Sequence, residues 1–271
     1  MPDSPRYQRI AVASTFSPRF RQVLAEAKRI RDRFESELSL IYVGEETSET
    51  TGRFSEVLSS LGLPANSPIY YEQGDPADGI LAALRKHPID LIVAGALEKE
   101  VVLHPFLGNV ARRLVREAIC SVMLFVRPEP EPKALRRMVF VADESYSEEA
   151  GVALRQVYHL ATAEKIEKLF VVRIITTFDE ARASREGDHS TTHDEEEALE
   201  KFVVAAGHTD VPVEIRCIRG NTGFAAADFV QSVEADLLVI PVPKSGNGSG
   251  NLPSNLSWLI DVIPCNLWVI R

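Results

Sequence analysis

Short apolar runs alternate along the chain with segments whose apolar residues recur every three or four positions. The runs predict strands, and the spaced segments predict amphipathic helices. In the first half the predicted strands are Arg9–Ser14, Leu38–Val43, Ile69–Tyr71, Asp90–Ala94 and Val122–Val126. Ser17–Pro18 and Asp75–Pro76 have the residue types that cap and open a helix, so each predicts a helix start. Strands that alternate with helices require a parallel sheet with right-handed crossovers, which is a doubly wound α/β fold.

The order of elements repeats after a proline-rich segment, Pro128–Pro132. Arg137–Ala142 repeats the first strand, so we expect two tandem parallel five-stranded sheets joined by a stiff linker. The predicted domains and the linker between them are 6–127, 128–135 and 136–271. The second copy has an insertion between about Thr177 and Asp194, whose polar composition is typical of a solvated loop that runs into a helix.

Composition narrows the class of protein. The 271 residues are 45% hydrophobic and 25% charged, which is typical of a globular protein and excludes wholesale disorder. The net charge of -9 repels polyanions, so we expect neither nucleic acid nor a membrane as partner. No apolar run approaches the about 18 residues of a membrane helix, and no leader is visible, so we expect a cytoplasmic protein. Its three widely spaced cysteines indicate buried, reduced thiols.

The residues at the strand ends carry a family resemblance. Asp143 follows the first strand of the second half, and Gly95 and Gly108-Asn109 flank the loop after the fourth strand of the first half. In these features the chain resembles the universal stress protein family in its tandem form, with the adenine nucleotide alpha hydrolase-like fold. The resemblance implies that an aspartate after strand one holds adenosine. It also implies that a Gly-x2-Gly-x9-Gly-(Ser/Thr) motif after strand four cradles phosphates through backbone N–H groups.

In the first half this motif keeps its spacing but changes its residues. Gly95, Gly108 and Asn109 occupy motif positions, while Glu98 replaces the second glycine and Thr15 replaces the aspartate. A carboxylate about 5 Å from a phosphate charge, at an effective dielectric constant of about 20, costs about 3 kcal/mol before screening. We therefore expect a degenerate pocket in the first half.

In the second half the aspartate is present and the phosphate motif is not. Asp143 would contact the adenosine or ribose, and Lys244, Ser254 and Asn255 would lie near the phosphates of ATP or ADP, or near another anion. Each has an ordinary structural alternative. Asp143 can cap a helix, the glycine-rich loop after Lys244 can be a plain connector, and Ser254 or Asn255 can be an N-cap.

The sequence gives little support for metal binding or catalysis. His189 and His193 have the spacing of two ligands on one helix face, but Thr192 and Glu195 form a capping-box pattern that explains the segment better, so we predict no metal. The sequence has no G-x-S-x-G, Walker A or H-E-x-x-H motif, and we do not expect an enzyme.

The expected function is that of a tandem universal stress protein, a regulatory or binding module of the stress response with adenine nucleotide bound in the second half. The family resemblance implies a pseudo-dimer within the chain, in which strands Val122–Val126 and Leu267–Ile270 pair, and it leaves room for a homodimer. Two alternatives stay open: a scaffold that acts through its surface without nucleotide, and a weak ATPase.

Overall fold

The structure, a computed structural model, describes residues 7–96, 107–142, 146–176, 192–220, 222–242 and 265–271. The chain divides into two compact units between Lys133 and Ala134. This division falls just after the proline-rich segment, inside the predicted linker 128–135. Lys133, directly after the segment, accepts a hydrogen bond on its carbonyl oxygen from Arg29, so this part of the linker is fixed to the first unit.

The first unit is a parallel sheet with helices between its strands. Its elements are β1 Arg9–Ser14, α1 Phe20–Phe34, β2 Glu37–Val43, α2 Ser48–Ser60, β3 Ile69–Glu72, α3 Pro76–Lys86, β4 Leu91–Gly95, α4 Asn109–Glu117 and β5 Ser121–Phe125. The strand order is β3-β2-β1-β4-β5, and the pairings are parallel.

The second unit repeats this arrangement. Its elements are β6 Arg137–Ala142, α5 Glu148–Glu164, β7 Lys168–Ile175, α6 Thr192–Ala206, β8 Val213–Arg219, α7 Thr222–Ser232, β9 Leu237–Pro241 and β10 Asn266–Ile270. The order β8-β7-β6-β9-β10 is that of the first unit. The prediction of two tandem doubly wound α/β units is therefore confirmed. The interior strands β4 and β9 are buried along almost their whole length, because helices cover both faces of the sheet.

The predicted start of α1 is wrong, whereas that of α3 is confirmed. Asp75 caps α3, because its carboxylate accepts hydrogen bonds from the first turn at 2.9 and 3.2 Å. The N-cap of α1 is Arg19, without a side-chain hydrogen bond. Ser17 lies in a turn before the helix, where its N–H donates to Thr15 Oγ1 and its carbonyl accepts from the Phe20 N–H. A serine followed by proline suits a turn as well as a cap.

A repeated aspartate holds the amino edge of each sheet. Asp90, just before β4, accepts hydrogen bonds from the Gln8 and Arg9 N–H groups at 3.0 and 2.9 Å. Asp236, just before β9, accepts from the Arg136 and Arg137 N–H groups at 2.7 and 2.9 Å. The carboxylate thus ties the start of the first strand of each unit to the start of the fourth.

We expect Asp236→Asn to lower the free energy of unfolding by about 1 kcal/mol, because the neutral amide loses the charge assistance of both hydrogen bonds. Urea unfolding followed by far-UV circular dichroism measures this loss. The matched control is Asp210→Asn, an exposed aspartate of the same unit, which should change stability by less than about 0.5 kcal/mol. Equal effects of the two substitutions would contradict a structural role for Asp236.

The thiols differ from expectation in part. Cys120 is buried, but Cys217 and Cys265 are half-buried, and all three are free of disulfide bonds. In the ranges that the structure describes, no helix is both long enough and apolar enough to span a membrane.

Candidate functional site

The strand order reverses beside the first strand of each unit. β1 lies between β2 and β4, and β6 lies between β7 and β9. In open α/β sheets, ligands bind outside the carboxyl ends of the strands where the order reverses. The candidate sites are therefore the edge where β1 and β4 end, and the edge where β6 and β9 end.

In the first unit the structure brings together the three predicted glycine-motif residues. Gly95 is the last residue of β4 and is exposed, Gly108 is the N-cap of α4, and Asn109 is its first residue. The Gly108 N–H donates to the Ala96 carbonyl at 3.0 Å, which joins the end of the strand to the start of the helix. Glu98 lies outside the described residues.

Packing also gives a reason for glycine at position 95. A Cβ atom there would lie 3.2 Å from Val23 Cγ2 of α1, closer than most such contacts. The glycine lets helix and strand approach each other, whether or not a ligand binds.

An aromatic cluster fills the end of β1 and β2 in the first unit. The Phe16 ring stacks on Phe54 with centroids 4.6 Å apart, and Tyr42 meets both rings at 5.1 and 5.2 Å. The Arg53 guanidinium carbon lies 3.9 Å from the Phe16 ring centroid, a cation–π contact that covers the cluster. These side chains occupy space beside the first-unit site. Our sequence reasoning missed them, although three aromatic residues at strand ends and on α2 were a visible signal.

Thr15, at the aspartate position of the first unit, has a local partner. Its side chain accepts the Ser17 N–H at 3.1 Å in the turn before α1. The residue is exposed, and its hydroxyl stabilises that turn.

In the second unit, four predicted site residues lie outside the described residues: Asp143, Lys244, Ser254 and Asn255. The structure describes their flanks. Ala142 is the last residue of β6, directly before Asp143, and the described chain resumes at Tyr146, just before Ser147, the N-cap of α5.

The two units differ in one row of residues across the sheet at this edge. In the first unit the row is Ser14, Tyr42 and Tyr71, which pair in register on β1, β2 and β3. In the second unit the row is Ala142, Arg173 and Cys217 on β6, β7 and β8. Side chains paired in register point to the same face, so Arg173 takes the place that Tyr42 has in the first unit. In the sequence, Arg173 is one charged residue within an apolar run and carries no motif.

Aromatic rings lie near this second row. The Tyr146 ring lies 5.3 Å from that of Phe202 on α6, and Phe140 of β6 stacks on Phe202 at 6.5 Å. Burial raises the pKa of Tyr146 to about 12, against a smaller lowering by the Arg173 charge. Burial likewise raises the pKa of Cys217 to about 11, so this thiol stays protonated at neutral pH.

One cavity lies at a carboxyl edge, and a larger one lies at an amino edge. One of about 340 Å³ is at the carboxyl edge of the second unit, between the start of α5 and the ends of β9 and β10, and is lined by Ser147, Val242 and Ile270 among others. A larger one of about 520 Å³ is in the first unit near the amino ends of β1 and β2, lined by Arg9 and Glu37 among others. The larger cavity is thus not at the edge where the topology predicts a ligand.

Within the described ranges, no group of three or more His, Cys, Asp and Glu side chains is placed to hold a metal ion. His193, one of the two histidines weighed as ligands, is exposed near the start of α6, and His189 lies outside those ranges.

The fold and its edges define a class: two tandem doubly wound α/β units of the 3-2-1-4-5 strand order. Residues 62–127 and 134–271 match the model of the universal stress protein family. These regions make up more than half of the chain, which therefore belongs to the universal stress protein family. The match in the first unit begins after Phe54, so Phe16, Tyr42 and Phe54 of the aromatic cluster lie outside it.

Solved structures with the same fold cover the whole tandem. A functionally unknown protein from Pseudomonas aeruginosa PAO1 is 16% identical with a TM-score of 0.72, over 98% of this chain and 93% of that one. A universal stress protein from Archaeoglobus fulgidus DSM 4304 is 14% identical with a TM-score of 0.66, over 97% of this chain and 98% of that one. At such identities the likeness shows the fold alone. No curated protein matches the chain.

Proposed function

We propose that this protein is a non-catalytic regulatory module of the stress response that binds an adenine nucleotide, ATP or ADP, in its second unit and none in its first. Family membership supports the class of ligand. The choice of unit rests on one observation. Asp143 directly follows the last residue of β6, where the strand order reverses, whereas the corresponding Thr15 uses its hydroxyl in a local turn.

The aromatic cluster supports the same asymmetry. Phe16, Tyr42 and Phe54 pack against one another where β1 and β2 end, and Arg53 covers them. An adenine ring would have to displace side chains that already bury one another there, which costs much of the stacking it would gain. The first unit would then contribute structure, while the second binds the ligand.

Isothermal titration with ATP and ADP tests the proposal. We expect one site per chain, and we expect Asp143→Ala to weaken binding by about tenfold or more, because a hydrogen bond to a charged group contributes about 1.5–3 kcal/mol. The matched control is Asp210→Ala, at the amino edge just before β8, which should bind like wild type. No heat with wild-type protein, or equal affinity in Asp143→Ala, would remove the proposal and favour the scaffold alternative.

A second measurement separates binding from catalysis. A malachite-green assay should detect phosphate release from ATP no faster than in buffer. Release that depends on the protein and is lost in Asp143→Ala would replace the binding module with the weak ATPase.

A further inference from the structure

Arg173 is an arginine buried in the sheet without an acidic partner among the residues that the structure describes. It is 8% exposed, and its Nη1 donates to the carbonyl of the adjacent Ile174 at 3.2 Å. Its Nε has no hydrogen-bond partner, and the guanidinium forms no salt bridge with the residues that the structure describes. A buried charge is unfavourable unless it is paired and hydrogen-bonded. An acceptor from outside the described residues would compensate this charge.

Tyr146 adds a second buried polar group beside it. Its hydroxyl is buried and makes no hydrogen bond of normal length and angle within the described ranges, although it lies near enough to the Arg173 guanidinium for a weak one. The electrostatic influence of Arg173 reaches this hydroxyl, so the two groups are close neighbours. A guanidinium and a hydroxyl are both hydrogen-bond donors, and together they present donors to a common acceptor.

Within the described ranges, the other charged and titratable groups near this pair form no salt bridge with Arg173. Glu195 of α6 is half-buried and influences Tyr146 and Cys217, as does Arg173, but it makes no salt bridge to Arg173. Glu196 acts on Cys217, which pairs in register with Arg173. The protonated thiol of Cys217 carries no charge.

The fold itself does not require an arginine at this position. In the first unit the same row carries Tyr42, whose ring packs against Phe54 and Tyr71 at 5.2 and 6.1 Å. An apolar contact therefore suffices to fill this place in the 3-2-1-4-5 sheet. In the second unit an arginine lies where an aromatic residue packs in the first, a difference typical of functional sites.

We propose that Arg173 and Tyr146 bind an oxyanion, the carboxylate or phosphate group of a small ligand, at the carboxyl edge of the second unit. The guanidinium is a planar fork of N–H donors that matches the two oxygens of such a group. This inference rests on the proposed function only in taking the second unit as the ligand-binding one. It adds a second anchor, on β7, to the one expected after β6.

Thermal unfolding of the full chain with and without anions tests the inference. We expect acetate or inorganic phosphate, at tens of millimolar and against chloride of equal ionic strength, to raise the Tm of wild-type protein by mass action. Arg173→Met should raise the Tm without added anion by about 2 to 4 °C, because it removes a buried charge that has no acidic partner among the described residues. The same variant should lose the response to anions.

Two further variants sharpen the result. Arg216→Met, the same substitution at an exposed position of the neighbouring strand β8, should leave the anion response intact. Tyr146→Phe should keep the fold and weaken the anion response by about tenfold or less, the effect of one lost hydrogen bond. A response to acetate identifies a carboxylate ligand, and a response to phosphate alone identifies a phosphate group.

Other outcomes would overturn the inference. A lower Tm in Arg173→Met would show that the arginine has a structural partner within the fold, and an anion response equal to that of wild type would show that anions bind elsewhere. Failure here is distinguishable from failure of nucleotide binding. ATP binding that depends on Asp143 but not on Arg173 would leave the proposed function standing, whereas an Arg173-dependent anion response without ATP binding would do the reverse.

Discussion

Phe54→Ala is expected to lower the free energy of unfolding of the first unit by about 3–5 kcal/mol, the usual effect of emptying a buried phenylalanine site. Phe54 is 0% exposed, and its ring contacts those of Phe16, Phe20 and Tyr42 at centroid distances of 4.6 to 5.6 Å. The alanine variant loses the transfer free energy of the ring and the edge contacts of its neighbours. Urea unfolding followed by far-UV circular dichroism measures the loss.

Two controls separate the cavity from a general effect of substitution. Phe54→Leu keeps most of the apolar volume and should lose about 1–2 kcal/mol. Val204→Ala, at an exposed position of α6, should change stability by less than about 0.5 kcal/mol. A loss in Phe54→Ala no larger than in Phe54→Leu would mean that the cluster collapses around the gap, and the estimate would be wrong.

The same variant bears on function. Removing the Phe54 ring makes room where β1 and β2 end, but Thr15 still occupies the position at which the family motif has its aspartate. We therefore expect Phe54→Ala to bind no additional nucleotide. A second site in that variant would show that the aromatic side chains alone close the first-unit pocket.

The sequence predicted well those parts of the fold whose limits depend on a local pattern of apolar residues. β6 was predicted at Arg137–Ala142 and lies there, because an apolar run buried on both faces begins and ends where the chain enters and leaves the sheet. The start of α1 was mispredicted for an equally physical reason. Ser17 has hydrogen-bonding groups that suit a cap and a turn alike, and only the tertiary position of the strand end decides between them.

The sequence alone could not predict the long-range contacts of the candidate site. Arg173 is one charged residue in an otherwise apolar run, Leu169–Ile175, and its burial depends on α5 and α6, which pack over that face. Asp90 and Asp236 were visible as a repeat, but their bonds reach the first residues of β1 and β6, 81 and 99 positions away. A sequence pattern shows which residue recurs, and only the folded chain shows what that residue contacts.

The second large effect is an alkaline loss of stability that depends on Tyr158. This tyrosine of α5 is 5% exposed, and its hydroxyl donates to the Val203 carbonyl of α6 at 3.3 Å. Burial raises the pKa of Tyr158 to about 12. The folded state therefore holds the phenolic proton more tightly than the unfolded state, whose tyrosine has a pKa near the ordinary value of about 10.

The sign of the pH dependence follows from which state releases the proton first. Below about pH 10 both states are protonated, and the contribution of Tyr158 to stability is fully present. Between about pH 10 and 12 the unfolded state ionises while the folded state does not, so stability falls, by about 2 kcal/mol in all for this group. Above that range both states are ionised and the loss is complete.

Tyr158→Phe separates this titration from the hydrogen bond. At pH 7 the variant should be less stable than wild type by about 1 kcal/mol, since it lacks the bond to Val203 and leaves that carbonyl unpaired. Phenylalanine does not titrate, so the variant does not lose the stability that wild type loses at alkaline pH through Tyr158. The two curves of unfolding free energy against pH should therefore cross at about pH 11. Urea unfolding at a series of pH values from 7 to about 12 measures both curves. Curves that stay parallel through this range would show that the α5–α6 interface opens to water before the phenol ionises, because a solvated tyrosine would then titrate alike in both states.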